Sequence, residues 1–174
     1  MKYLKLDRAD REAMWRELEG MPDFLSEMFG GLTSAEAATP PTADAFSPVE
    51  QCWHLADLER EGYAVRLRRL LEDAHPLLED FDGARLARER RYKEKSLAGG
   101  IAAFRRARLD NLALIGALKP EDWTRQGEQE GVGPIMLCDI PAMMAEHDAA
   151  HRLEIAEWLS ARKGLSGLGA DEQA

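Results

Sequence analysis

The stretch SPVEQCWHLADLE, residues 47–59, contains the clearest helix start in this 174-residue chain. Ser47 is a favourable capping residue, and Pro48 would take the first helical position, where a missing amide hydrogen costs least. Glu50, three residues after the cap, can bond back to the backbone amide of the cap. These three residues predict a helix that begins at Ser47 and runs to about Glu72.

Three other segments carry apolar residues at helical spacings of three and four. They run from about Asp7 to Phe29, from about Ser96 to Leu118, and from near Met136 to a point before Gly164. In the third predicted helix, the inner stripe is expected to be apolar and to consist of Leu97, Ile101, Phe104, Leu109, Leu112 and Ile115. Four helices of this length predict a bundle.

The connections between these helices differ in length and composition. The linker from Thr33 to Phe46 is longer than a usual helix–helix connection, so it is expected to cross the bundle. Asp73 to Lys95 is expected to be a long loop with one short helix, and Thr124 to Pro134 an irregular, hairpin-like crossing. With hardly any strand signal, we predict an all-α four-helix bundle, one domain over residues 1–165, and a disordered tail over 166–174.

Composition restricts the classes of partner. A net charge of −9 and a hydrophobic fraction of 45% are typical of a soluble globular protein and argue against a nucleic-acid partner. The basic run from Arg85 to Lys95 is interrupted by acidic residues, which favours a solvated face over a phosphate site. No apolar run is long enough for a membrane span, and the first residues do not resemble a signal peptide, so we expect no membrane partner and a cytoplasmic protein.

Two histidines lie on the apolar face of the fourth predicted helix. That face consists of Ile140, Met144, His147, His151, Ile155 and Trp158. Imidazoles one turn apart can bind the same metal ion, although a pair of this kind can also be satisfied by hydrogen bonds to Glu146, Asp148 or Glu154. His54, early in the second helix, favours the metal hypothesis because bundle metal sites take ligands from facing helices.

Three imidazoles on one divalent ion would leave positions open for water or substrate, which is typical of a catalytic site. Asp57 and Asp148 are the nearest carboxylates in the sequence, and each is either a partner that orients an imidazole or a solvated helix residue. His147-Asp148-Ala149-Ala150-His151 looks like a metalloprotease HExxH motif with aspartate for glutamate, but no third ligand follows it closely. His75 is interpreted as a surface residue. Cys52 and Cys138 are interpreted as core residues, and two cysteines are too few for a disulfide framework.

The segments around these histidines resemble the DinB-like (DinB/YfiT) superfamily. Residues 47–59 resemble the second-helix motif of that family, W-S-P-x-E-x-x-x-H-L-x-D, and residues 146–151 resemble its fourth-helix H-D-x-x-H. Residues 118–123 resemble the exit of its third helix, so the likeness spans roughly Phe46 to Trp158. Ala45-Phe46 departs from the tryptophan that often precedes the Ser-Pro pair, and Pro141 is a departure in the fourth helix.

The resemblance implies a four-helix bundle, often a homodimer, with His54, His147 and His151 as ligands of one divalent transition metal ion, zinc or nickel first. It also implies a small-molecule substrate, because some family members resemble thiol S-transferases that hold a low-molecular-weight thiol as thiolate. A metal-dependent enzyme, either such a transferase or a hydrolase acting through metal-bound water, is therefore the first hypothesis. The alternative is a non-catalytic, metal-bound bundle that acts as a stress or binding protein.

Overall fold

In the computed structural model, residues 2–168 are described, and long helices pack side by side around an apolar interior. The helices are α1 (Lys2–Lys5), α2 (Arg8–Phe29), α3 (Ser34–Ala37), α4 (Pro48–Asp57), α5 (Ala64–Glu72), α6 (Gly83–Glu89), α7 (Leu97–Gly116) and α8 (Ile140–Leu168). Short single turns of 3-10 helix span Tyr92–Glu94, Asp122–Thr124 and Leu137–Asp139. The bundle consists of four long helical units: α2, α7, α8 and the unit formed by α4 and α5. This confirms the predicted all-α class and four-helix architecture.

The predicted helix start at residue 47 is confirmed in its bonding. The carboxylate of Glu50 accepts hydrogen bonds from the Ser47 amide at 3.0 Å and from the Ser47 hydroxyl at 2.7 Å. Pro48 is the first helical residue, as expected. This fixes the first turn of α4, and therefore the position of His54 one and a half turns later.

The second predicted helix is not uniformly α-helical. A π-helical segment, Leu58–Tyr63, joins α4 to α5. The side-chain amide of Asn111 on α7 donates to the Glu59 carbonyl at 2.9 Å, and a Cβ on Gly62 would lie 2.6 Å from the Leu58 side chain. The wider turn of a π-helix is stabilised by tertiary contacts such as these. The periodicity of the sequence alone does not reveal them.

A small sheet is the main departure from the expected all-helical connections. Strands β1 (Leu77–Leu78), β2 (Gln126–Gln129) and β3 (Gly133–Met136) form it, with β1 parallel to β2 and β2 antiparallel to β3. The β2–β3 turn contains Gly131 and Gly133 at positive φ, so the expected hairpin-like crossing is a true hairpin. The expected short helix between residues 73 and 95 is α6.

The linker between α2 and α4 crosses the bundle as predicted. The indole of Trp158 on α8 donates to the Thr39 carbonyl in the linker at 2.8 Å. Helix α8 continues to Leu168 instead of ending before Gly164, and the rest of the expected disordered tail, residues 169–174, lies outside the described residues. No described helix is long and apolar enough to cross a bilayer.

Two of the three buried apolar clusters among the described residues form the interior of the bundle, and the third, around Tyr92, lies beside α6. One of the two interior clusters includes Leu58 and Met144, and the other includes Leu55 and Ile155. His147 and His151 therefore lie on α8 between the residues that anchor the two clusters. Leu109 was expected inside but is half exposed, because the inner stripe of α7 continues from Phe104 to Arg108, one turn on.

Candidate metal centre

Three histidines from two helices meet in one place. The nitrogens of His54, His147 and His151 that could bind a metal all lie within 4.8 Å of one another. The ring centroids are 4.5 Å apart for the pair on α8, and His54 lies 5.5 Å from His147 and 5.2 Å from His151. Because two nitrogens on one ion at ~2.0–2.1 Å are at most ~4.2 Å apart, small side-chain rotations bring this set into range of one ion.

Burial keeps two of these imidazoles neutral. Burial, together with the neighbouring His151, lowers the pKa of His54 to about 4. Burial also lowers the pKa of His147 to about 3, with the other two imidazoles contributing. Since only a neutral imidazole has a lone pair to share, both groups are in the metal-binding form at neutral pH.

His54 is held by close packing on both sides. Its ring lies 5.2 Å from that of Phe46 and 5.8 Å from that of Phe81, centroid to centroid. Its Nδ1 is buried and has no hydrogen-bond partner among the described residues. The first residue of α6, Gly83, approaches so closely that a Cβ there would lie 2.3 Å from this nitrogen. The absence of a side chain at Gly83 therefore provides the space that the His54 imidazole occupies.

Replacing Gly83 with alanine is expected to displace the His54 imidazole and weaken zinc binding by about 10-fold or more, as loss of ligand support typically does. Competition against a chromophoric chelator measures the affinity. Gly20→Ala is the control, because a Cβ at that helical glycine meets nothing within 4 Å. Equal zinc affinity in Gly83→Ala and wild type would show that His54 is not held in place by this contact.

Glu154 is the carboxylate that reaches a histidine of the cluster. Its Oε2 lies 3.0 Å from Nδ1 of His151. The angle at this nitrogen is too poor for a well-aligned hydrogen bond, so the contact is an ion-pair type of approach. The imidazole lowers the pKa of the Glu154 carboxyl. With Nδ1 turned to Glu154, Nε2 of His151 remains for an ion, in the arrangement by which carboxylates orient metal-binding histidines. Glu154 was one of the three carboxylates expected from the sequence as possible partners of these histidines, and its i, i+3 spacing from His151 places the two side chains on one face of α8.

The two carboxylates considered from the sequence have other roles. Asp57 is fully buried and accepts hydrogen bonds from Arg60, Arg90 and Tyr92. Burial opposes its ionisation, but these donors outweigh burial and lower its pKa. Asp57 is therefore neither a solvated residue nor a bonded partner of an imidazole. It ties α4 to the segment that follows α6, where Arg90 of the basic run also pairs with Glu61.

Asp148 lies between the two ligand positions on α8, but its side chain is directed at α7. Both of its oxygens accept from Arg108 on α7, at 2.6 and 2.8 Å. Both readings of Asp148, solvated residue and imidazole partner, are thus wrong. The pairing also deprives the HExxH-like motif of its general base.

The remaining candidates lie away from the cluster. His75 is exposed in the loop after α5, as expected. Cys52 and Cys138 are buried, unpaired thiols, and neither belongs to the group of potential metal ligands. Burial raises the pKa of Cys52 to about 12.

The histidine cluster opens into a cavity of about 530 Å³. Its walls come from the crossing linker, the start of α4, the start of α6 and the exposed side of α8. This volume is typical of small-molecule sites. The arrangement combines three metal-capable nitrogens, a space for a ligand and a carboxylate beside one imidazole.

Comparisons with known proteins agree with this architecture. The model of the DinB superfamily matches residues 17–155, most of the chain. A solved structure described as "YfiT from Bacillus subtilis is a probable metal-dependent hydrolase with an unusual four-helix bundle topology" superposes with a TM-score of 0.79 at 17% identity. The superposition covers 93% of this chain and 91% of that one. Among curated proteins, none matches the sequence.

Proposed function

The chain belongs to the DinB superfamily, and we propose that it is a metal-dependent hydrolase in which His54, His147 and His151 hold one divalent transition metal ion. The observation that carries the proposal is the convergence of three imidazoles, two of them held neutral, at the floor of an open cavity. The likeness to a probable metal-dependent hydrolase supports the same reaction class. All-nitrogen donors suit zinc or nickel.

The chemistry of such a site follows from its donors. Bound there, a divalent ion would polarise a substrate carbonyl and lower the pKa of a water ligand to about 7. The three histidines would hold the ion and leave the cavity side free. Glu154 would fix the ring orientation of His151, while Phe46 and Phe81 limit water around His54.

We expect the zinc- or nickel-loaded protein to hydrolyse activated esters and anilides, and His147→Ala to lower kcat/KM by about 100-fold or more, since Lewis-acid activation contributes several kcal/mol. A panel of p-nitrophenyl esters and p-nitroanilides followed by absorbance measures this. His75→Ala is the control, because it removes a histidine outside the cluster. Activity that survives removal of the metal would contradict the proposal.

A thiol S-transferase, suggested by the family resemblance, has less support from the cavity. Among the described residues, no lysine or arginine lines it, whereas three carboxylates do. A thiol that carries free carboxylates would therefore meet charges of its own sign. If the loaded protein instead transfers a small thiol to an electrophile and hydrolyses nothing, the transferase is correct. If it does neither, the non-catalytic alternative is correct.

The homodimer stays a proposal. Leu109 and Leu153 are 50% and 68% exposed and supply apolar surface on α7 and α8. Surface of this kind is consistent with a twofold contact.

A further inference from the structure

The cavity next to the histidines is acidic. Asp44 from the linker and Glu154 and Glu157 from α8 line it, and none of the described side chains that line it is basic. Asp44 and Glu157 have no ion-pair partner within the described part of the chain, and Glu154 has only His151. Three carboxylates exceed the charge of one divalent ion, so the cavity stays net negative even when a metal is held by the histidines.

A buried amide oxygen beside the same cavity has no hydrogen-bond partner among the described residues. Gln51, one turn before His54, is 2% exposed and lines the cavity. Its Oε1 lies behind the cavity wall and accepts no hydrogen bond from any described residue, so a rotation of the side chain presents it to a ligand in the cavity. Buried polar groups are nearly always paired, so an orphan at a cavity wall is a place where a ligand group is expected to bind.

From the negative charge and the orphan amide together, we infer that the substrate carries a cationic amine, with Gln51 as a specificity-determining residue that accepts a hydrogen bond from its N–H. This inference rests on the proposed metal-dependent function. Asp44 and Glu157 attract the positive charge from the cavity rim. Glu154 is already directed at His151 and contributes charge alone.

Hydroxamates with matched tails test the inference through binding, without need of the true substrate. In each, the hydroxamate binds the open metal position, and the tail of three to six methylenes ends in an ammonium, a methyl or a carboxylate. Cobalt-substituted protein reports binding through its d–d absorption. We expect the ammonium series to bind about 10-fold more tightly than the methyl series at low ionic strength, and the carboxylate series more weakly still.

Variants then assign the preference to residues. Asp44→Asn combined with Glu157→Gln should bring the three series to within about 2-fold of one another, because the charges that distinguish them are removed. Gln51→Leu should weaken the ammonium series about 10-fold and leave the methyl series unchanged, which also shows that the variant is folded. Glu128→Gln, which removes an exposed carboxylate on β2 outside the cavity, is the control and should change nothing.

The outcomes separate this inference from the proposed function. If no hydroxamate perturbs the cobalt spectrum, there is no open metal position, and the proposed function and this inference both fail. If all three series bind with equal affinity, the open metal position stands and the inference of a cationic substrate is overturned. Tighter binding of the carboxylate series would overturn it as well.

Discussion

Alanine at His147 or His151 is expected to abolish stoichiometric retention of zinc or nickel, and His54→Ala to weaken it by about 100-fold or more, since a site of three ligands then keeps only two. Wild-type protein loaded with metal and passed over a desalting column should retain about one equivalent by elemental analysis. The single variants should fold, because each shortens a side chain that lines the cavity and leaves the two apolar clusters of the bundle intact.

The pH at which metal is lost gives a second readout of the same site. Only neutral imidazole binds the ion, so protonation competes with metal. Because the pKa values of His54 and His147 are lowered from 6.5 to about 4 and about 3, competition by protons at these two groups begins well below pH 6.5. We expect retention at pH 6 and loss as the pH approaches 4, measured by dialysis and elemental analysis.

His75→Ala is the control for both measurements, because this exposed histidine lies outside the cluster. Full metal content in a His54, His147 and His151 triple alanine variant would show that the metal binds elsewhere. A midpoint for metal loss near pH 6.5 would show that the imidazoles are solvated in solution.

The helices and the histidine cluster could be predicted from the sequence because their signals are local. The cap at Ser47 sets the phase of α4, and the one-turn spacing of His147 and His151 sets a shared face of α8. Helix packing then places His54 opposite that pair. These predictions need only the helical periodicity of the sequence and the general observation that metal sites in helix bundles take ligands from facing helices.

Other features depend on contacts between distant residues, so no local pattern could predict them. Gly83 matters because it meets His54, 29 positions earlier in the chain, and α6 was expected only as an unspecified short helix. Arg108 continues the inner stripe of α7, but arginine is rarely fully buried, so the pattern favoured Leu109 at the next position. The partners that permit its burial lie on three other helices.

Arg108 is 1% exposed and connects all four long helical units. Its guanidinium donates to both oxygens of Asp148 on α8, to Glu59 in the π-helical segment at 2.9 Å, and to the Leu18 carbonyl on α2 at 3.0 Å. Burial opposes the charge on Arg108, but the two carboxylates outweigh burial and raise its pKa. Burial raises the pKa of Glu59, and Arg108 opposes that shift. The charge on Arg108 is therefore stabilised by the carboxylates that surround it.

Truncating one of these three charged residues is expected to destabilise the protein far more than replacing all of them. Arg108→Ala should lower the free energy of unfolding by about 3–5 kcal/mol, because Glu59 and Asp148 are left buried without a counter-charge. The apolar combination of Arg108→Met, Glu59→Leu and Asp148→Leu should cost much less, since no charge is then buried. Urea unfolding followed by circular dichroism measures both. Arg106→Ala, which breaks an exposed pair with Asp110, is the matched control and should cost less than about 1 kcal/mol. If Arg108→Ala proves no more destabilising than Arg106→Ala, water reaches the network and the buried charges are not what joins the helices.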